Sequence, residues 1–362
     1  MPRRAGSRAC LLWVALLRSE PVNGLEVSDV GAERAESCGC SASARRVCES
    51  CEEQGHSFLA CSLACLDRHR AAAHGEPAEP NSVTRARRAA RELNARFSHS
   101  WESYAGHRQC VAELVARLPQ GAELCVFGAG NGNDLDLERF SGAFSAIYLV
   151  DLDGEALERA RDRQGAQAKA KIVLRPDVDC SGMLEHLDAW GERFPTRLEL
   201  GQSAVLAAQA IVRGLGRSFP AVVSTCVLSQ LALPFQRAWV TSRSNWADLL
   251  STISAVHLAT LTGSTAPGGQ GLLVFDTSSS RDTPALSEQR GRSGDELEEF
   301  VAQARAAGGL SLRPEPAQLM QQLSAPGLKS LVAAPTLSAP WLWHLGADTQ
   351  LVYGLSFTHP QP

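Results

Sequence analysis

Leu124-Cys125-Val126-Phe127-Gly128-Ala129-Gly130-Asn131-Gly132-Asn133-Asp134 decides the reading of this chain. An apolar run meets a glycine cluster, a helix-like segment follows, and Ala146-Ile147-Tyr148-Leu149-Val150 then runs into Asp151. The pattern is strand, Gly-rich turn, helix, strand, acid. Glycines permit a tight turn with positive φ and let backbone N–H groups approach a ligand closely. A carboxylate at the end of the second strand is placed to accept hydrogen bonds from a ribose diol. The unit reads as a cradle for a nucleoside-containing cofactor.

A dinucleotide fingerprint calls for G-x-G-x-x-G. Here the glycines fall as G-x-G-x-G, and Asn133 stands where the last fingerprint glycine would be. A pyrophosphate needs an open helix N-terminus, whereas Asn131, Asn133 and Asp134 crowd this turn. S-adenosylmethionine (SAM) carries an amine, a carboxylate and a sulfonium instead, and suits a turn offering both backbone N–H groups and side-chain acceptors. In these residues the chain resembles the class I SAM-dependent methyltransferases: Gly128, Gly130 and Gly132 match the family's first motif and Asp151 its acidic second motif. A Rossmann-like turn that binds nothing is the bland alternative.

The resemblance implies an α/β fold: a Rossmann-like seven-stranded methyltransferase sheet with helices on both faces, over residues 85–362. It also implies a set of cofactor contacts. Gly128, Ala129, Gly130, Asn131, Gly132 and Asp134 belong to the turn, and Asp151 and Leu152 follow the second strand. Asp179, with Asp177 as second choice, follows the third strand (Lys171–Leu174) and would face the adenine amino group; a helix N-cap is the alternative use of such an Asp. Thr225 ends a fourth, mostly apolar strand (Ala221–Cys226). Tyr104 and Arg108 lie before the first motif, where the family often places a lid helix, and Arg108 would pair with the SAM carboxylate in a bidentate bond. The family's Asn/Asp-Pro-Pro-Tyr fourth motif is absent, so amino-group methylation of nucleobases is not supported. Asp276, Ser229, Gln230 and His257 are candidates for the substrate side, with His257 read first as a packed helix residue and Cys226 as core. No catalytic residue is assigned, because methyl transfer from a sulfonium needs alignment more than acid–base help.

The second informative stretch is 35–76. Cys38-x-Cys40, Cys48-x-x-Cys51, Cys61-x-x-x-Cys65, His69 and His74 make four ligand pairs, enough for two tetrahedral zinc ions. Disulfides or free thiols are the alternatives, but His at helical spacing from Cys has no role in a disulfide. The segment resembles the MYND and HIT-type zinc fingers, whose pairs interleave. That resemblance implies one ion on Cys38, Cys40, Cys61 and Cys65, and another on Cys48, Cys51, His69 and His74. Departures at the first and third pairs bear on the first ion. With so few apolar residues the segment needs metal to fold. Fully ligated zinc is structural, so the finger is a docking or recognition module or a clamp.

The remaining features bound the reading. The chain of 362 residues has 44% apolar content and a net charge of −4, giving no general pull toward nucleic acid or membrane. No apolar run is long enough to span a bilayer. Residues 1–34 read as a flexible tail in which Pro2-Arg3-Arg4 and Ala9–Leu17 imitate an export signal without a small-x-small cleavage site; a misassigned start is the other reading. A need for SAM argues for the cytoplasm. Residues 77–84 read as linker. A helix bearing Arg85, Arg87, Arg88, Arg91 and Arg96 follows, which is either a solvated face or an RNA-binding one. Residues 183–216 read as helices broken at Pro195 and as a substrate-side insertion. Trp341–His344 and Gln350–Thr358 read as a terminal hairpin. Function is then methyl transfer to an unidentified acceptor, with a protein partner docking through the finger. A non-catalytic SAM-binding or zinc-finger adaptor and an RNA methyltransferase are the alternatives.

Overall fold

The computed structural model describes residues 81–190, 193–238 and 243–361 and, before them, 36–37, 46–48, 51, 54, 58–60 and 63–75. The expected N-terminal tail, Cys38, Cys40 and Cys61 lie outside the described residues.

The finger region contains three short strands, β1 (Glu36–Ser37), β2 (Arg46–Val47) and β3 (Phe58–Ala60), with β3 central. Helix α1 (Leu63–His69) follows and widens into a π-type turn, Arg70–His74, closed by Gly75 at φ 65°. Among the described residues its core is Cys48, Cys51, Phe58, Ala60, Cys65 and Leu66.

Helix α2 (Ser82–Arg96) starts inside the expected linker, because the Asn81 side chain accepts from the Thr84 N–H at 2.8 Å and caps it. Then come α3 (Ala105–Val115), β4 (Glu123–Phe127), α4 (Leu137–Ala143), β5 (Ala146–Val150), α5 (Gly154–Asp162), α6 (Ala166–Lys171) and β6 (Ile172–Arg175). The helical stretch after β5 breaks before Gly165, the N-cap of α6, into α5 and α6. Next are α7 (Leu184–Trp190), α8 (Arg197–Leu215), β7 (Phe219–Thr225), α9 (Leu233–Ala238), α10 (Arg243–Ser264) and β8 (Thr265–Ser279). Helix α8 begins in a capping box, Thr196 with Glu199, and ends at Gly216 with φ 69°. The chain closes with α11 (Gly294–Ala306), α12 (Pro316–Leu323), β9 (Ala333–Leu337), β10 (Trp341–Leu345) and β11 (Asp348–Thr358).

The main sheet runs β10-β11-β8-β7-β4-β5-β6. Strands β6, β5, β4, β7 and β8 are parallel, and β11 is antiparallel to β8 and β10. This is the mostly parallel, Rossmann-like sheet that the resemblance implies, with one reversed strand, β11. An eighth strand, β9, adds to the expected seven by pairing with the far half of β11. Strand order reverses at β4: the chain moves outward through β5 and β6, then returns to place β7 on the other side of β4. Open parallel sheets bind ligands at such a switch point, beyond the carboxyl ends of the strands.

Side chains alternate along β4, as a strand's period of two requires. Leu124 and Val126 enter a core with α3, α4 and α5; Cys125 and Phe127 enter one with α8, α10 and α11. Helices therefore cover both faces. The insertion expected at 183–216 is not one. Leu200, Ala204, Ala207, Ala208 and Ile211 of α8 are buried in the second core and α8 packs along α10. The apolar stripe of α8 forms a structural layer of the sheet.

Candidate functional site

A cavity of about 370 Å³ opens over the switch point. Its floor is the Gly-rich turn after β4. Gly128, Gly130 and Gly132 have φ of 67°, 47° and 64°, the left-handed region that favours glycine. A Cβ on Gly128 would stand 2.5 Å from Val227 Cβ, so this position has no room for a side chain. Gly128, Ala129, Gly130 and Asn131 face the cavity. Gly132 does not; it allows close packing against Ala160 and Leu137.

Asp151 stands at the end of β5 and lines the cavity. Its two oxygens are held separately: the Gly130 N–H donates to Oδ2 at 2.9 Å and the Asp153 N–H to Oδ1 at 2.9 Å. Burial pushes its pKa up to about 6, opposed by these backbone N–H groups. A carboxylate has about four acceptor positions. Two backbone donors leave each oxygen able to take another, which fits a vicinal diol. Leu152 lines the same wall.

Asp179 also reaches the cavity, but its carboxylate is occupied by its own turn. Oδ1 accepts from the Ser181 N–H at 2.8 Å and hydroxyl at 2.6 Å, and Oδ2 accepts from the Leu184 N–H at 2.9 Å. The helix-capping use of this acid is therefore realised. Asp177 does not line the cavity; it sits in a left-handed conformation, φ 64°, and pairs with Arg87 at 3.1 Å.

Arg108 differs from expectation too. Its guanidinium donates to the Trp101 and Asn133 carbonyls at 2.9 and 2.8 Å and lies 3.5 Å over the Trp101 ring. It braces the back of the turn and does not line the cavity. Tyr104 does line it, with burial pushing its phenol well up, and so does Thr225. The Thr225 hydroxyl hydrogen-bonds Asp134, whose pKa burial pushes up to about 7, with the Asp276 charge adding to the effect.

The opposite wall comes from segments the sequence reading passed over or took for core. Leu93, Asn94 and Phe97 of α2 and its following turn, and Trp343, Leu345 and Gln350 of the β10–β11 hairpin, all face the cavity. The alternation in Trp341-Leu342-Trp343 was the available signal. Asp276, Ser229 and Gln230 line it as well, and the Ser229 hydroxyl donates to Asp276 at 2.9 Å. His257 is fully buried between Ser224 Oγ at 2.8 Å and the Cys180 carbonyl at 3.3 Å, and burial lowers its pKa to about 4. It is a packed helix residue.

His107, Asp134 and Cys226 also come together, but the hydrogen bonding argues against a metal there. Trp341 Nε1, which can only donate, donates to His107 Nδ1 at 3.1 Å. Neutral His107 therefore carries its proton on Nε2, the nitrogen facing Cys226 Sγ at 3.8 Å.

In the finger, Cys48, Cys51, His69 and His74 converge with all four ligand atoms within 4.8 Å of one another. Cys51 Sγ lies 3.1 Å from His69 Nε2 and 3.3 Å from His74 Nε2, and Cys48 Sγ lies 3.5 Å from His74 Nε2. A tetrahedral zinc with ordinary bond lengths has S···N edges of about 3.6 Å. The donor set and its size fit that ion. Phe58 stacks on His69 at 3.5 Å and fixes the ring plane. Cys65 stands apart from this group and accepts from Arg68 at 3.0 Å. Strand β2 lies against α9, beside the cavity wall.

No helix of the described residues is long and apolar enough to cross a membrane. No family model and no curated protein matches the chain. Among solved structures it is similar to DhpI in complex with SAM and HEP, at 16% identity over 75% of this chain and 93% of that one, TM-score 0.36. It is also similar to an O-methyltransferase family protein from Burkholderia thailandensis, at 15% identity over 76% and 60%, TM-score 0.37. An rRNA methylase from Streptococcus thermophilus matches at 12% identity over 68% and 92%, TM-score 0.30. With likenesses this faint, the Rossmann-like assignment stands on the chain's own strand order.

Proposed function

We propose that this chain is a SAM-dependent methyltransferase of the cytoplasm, carrying a structural zinc module at its N-terminal side. The observation that supports it most is Asp151, held oxygen by oxygen at the carboxyl end of β5 beside a three-glycine turn at the switch point. Bound SAM supplies an electrophilic methyl on a sulfonium whose departure as a neutral thioether needs no acid.

The residues then act by holding and aligning. Asp151 accepts from the ribose hydroxyls, and Leu152 and Val178 pack beside the adenosyl group. Gly128 and Gly130 let the backbone come close to the methionine portion. Asp134, with Thr225 on its carboxylate, faces the ligand's positive charges, and a cation beside it lowers its elevated pKa. Alignment of this kind supplies about 7–11 kcal/mol of barrier lowering. Arg108 and Asp177 have no part in it.

Cys48, Cys51, His69 and His74 would hold one zinc ion, with no open position for catalysis. Cys65 would join Cys38, Cys40 and Cys61 at a second. A finger built this way braces α9 through β2 and leaves its outer face for a protein partner. The RNA reading loses its main support, because Arg87 and Arg91 of the basic helix pair within the chain, with Asp177 at 3.1 Å and Glu155 at 3.5 Å.

Isothermal titration with SAM tests the proposal. Saturable binding is expected, weakened about 10–100-fold in Asp151→Ala, which corresponds to the loss of one or two charged hydrogen bonds. Equal affinity in the variant would sink it.

A further inference from the structure

Trp341 and Trp343 are two residues apart on β10, so they share a face of the sheet. Their indole N–H groups meet different fates. Trp341 Nε1 donates to His107 Nδ1 at 3.1 Å. Trp343 is 7% exposed and lines the cavity, and its Nε1 has no hydrogen-bond partner among the described residues. The Trp343 ring is fixed by stacking on His107 at 4.3 Å and by an edge-to-face contact with Tyr104 at 4.8 Å. His107 does not accept from it, since Trp341 occupies Nδ1 and Nε2 carries the proton. An indole N–H only donates, and a buried donor left unpaired costs the desolvation of that group. Such a group calls for an explanation. On a cavity wall, an acceptor atom brought by a ligand is one.

Gln350 is the residue directly opposite Trp343 on β11, and it lines the same cavity. Directly opposed side chains share a face of the sheet, so a carboxamide, which also donates, neighbours the unpaired indole. Strand β11 lies four strands from β5, roughly 19 Å across the sheet from Asp151. This wall is therefore at the far end from the ribose acid.

We propose that the methyl acceptor is a planar ring compound bearing an uncharged carbonyl oxygen, and that the Trp343 indole N–H, with Gln350 opposite, receives that oxygen. The acceptor role rests on the methyltransferase reading; the hydrogen bond itself does not. A carbonyl oxygen has two lone pairs, enough for the indole and the carboxamide, and brings no proton in need of its own partner. The Tyr104 and Trp343 rings favour a planar ring against them. A carboxylate or phosphate is disfavoured there, because Asp134, Asp151, Asp179 and Asp276 line the cavity and, among the described residues, no lysine, arginine or histidine does.

The test follows the tryptophan indole protons of the isotope-labelled full chain by NMR. The chain, saturated with S-adenosylhomocysteine, is titrated with acetophenone, ethylbenzene and benzoate. Acetophenone should move one indole proton downfield, the one missing in Trp343→Phe, and ethylbenzene should not. By calorimetry, acetophenone should bind roughly fivefold or more tighter than ethylbenzene or benzoate. In Trp343→Phe its affinity should fall to that of ethylbenzene, whose own affinity stays within twofold. The wild-type shift decides the matter even where the variant does not fold. No indole shift with acetophenone, benzoate binding as tight as acetophenone, or a preference for acetophenone that survives Trp343→Phe overturns the proposal. A downfield indole shift produced by S-adenosylhomocysteine alone overturns it too, since the cofactor then takes the donor. Failure of S-adenosylhomocysteine to bind counts instead against the methyltransferase reading, and the same titration of the bare chain then decides the hydrogen bond.

Discussion

The Gly-rich turn and the finger are both built to hold something, and they are built in opposite ways. The turn is a backbone site. Its shape comes from three left-handed glycines between fully buried strands, with Asp151 pinned by backbone N–H groups. The finger is a side-chain site. Its ligands come from the Cys48–Cys51 stretch and from the helical stretch carrying His69 and His74, and among the described residues they sit around a core of six. On the proposed function, the first site lends its stability to a ligand and the second takes its stability from one.

The largest effect that separates them is metal removal. Chelation should unfold the finger and leave the sheet intact, since a structural zinc contributes on the order of 10 kcal/mol or more. Protease cutting confined to residues 36–75 after EDTA, together with unchanged sheet signal in circular dichroism, checks this. A finger equally resistant with and without chelator would break the comparison. Next comes Gly128→Ala, which forces a Cβ into Val227 at positive φ. Overpacking and backbone strain together should cost about 3–5 kcal/mol, read by urea unfolding, with zinc content unchanged.

A smaller effect belongs to Asp134. Its folded pKa of about 7 exceeds the ordinary 3.8, so the native state binds this proton more tightly than the unfolded chain does. Its contribution to the unligated protein is fully present below about pH 4 and is lost as pH rises through 7. Asp134→Asn should therefore gain about 2–3 kcal/mol relative to wild type between pH 4 and 8. Parallel pH profiles would show that Asp134 is not the desolvated acid described above. The smallest effect is Arg87→Ala. It removes a half-exposed pair between α2 and the turn after β6, and should cost no more than about 1 kcal/mol, less at high salt. A larger loss would make α2 a structural partner of the sheet in its own right.

The sheet was legible because its evidence is local. Apolar runs of strand length, a glycine turn and an acid at the right distance lie within 30 residues, and the strand order follows from chain connectivity. The grouping of Cys48, Cys51, His69 and His74 came from the resemblance to interleaved zinc fingers and not from spacing alone, and the four ligand atoms do lie together. What was not legible depends on competition between distant groups. Arg108 has the right charge and nearly the right place for a carboxylate, but Trp101 and the Asn133 carbonyl reach it first. Asp179 faces the cavity, yet backbone donors two to five residues on hold its oxygens. Trp343 and Gln350 enter the cavity because β10 and β11 fold back beside β8, a register that no short window of sequence contains.

The asparagines that crowd the Gly-rich turn have a use that bears on traffic. The Asn131 amide donates to the Asn94 carbonyl at 2.6 Å and the Asn133 amide to the Phe97 carbonyl at 2.8 Å, and Asn94 in turn donates to Asp153 at 2.9 Å. The carbonyls satisfied are those at the frayed end of α2, so floor and roof of the chamber are stitched together at that side. The facing side of the chamber, at Leu231–Pro234, belongs to the short helix that β2 leans on. The side of the chamber away from these bonds therefore adjoins the strand that leads into Cys48.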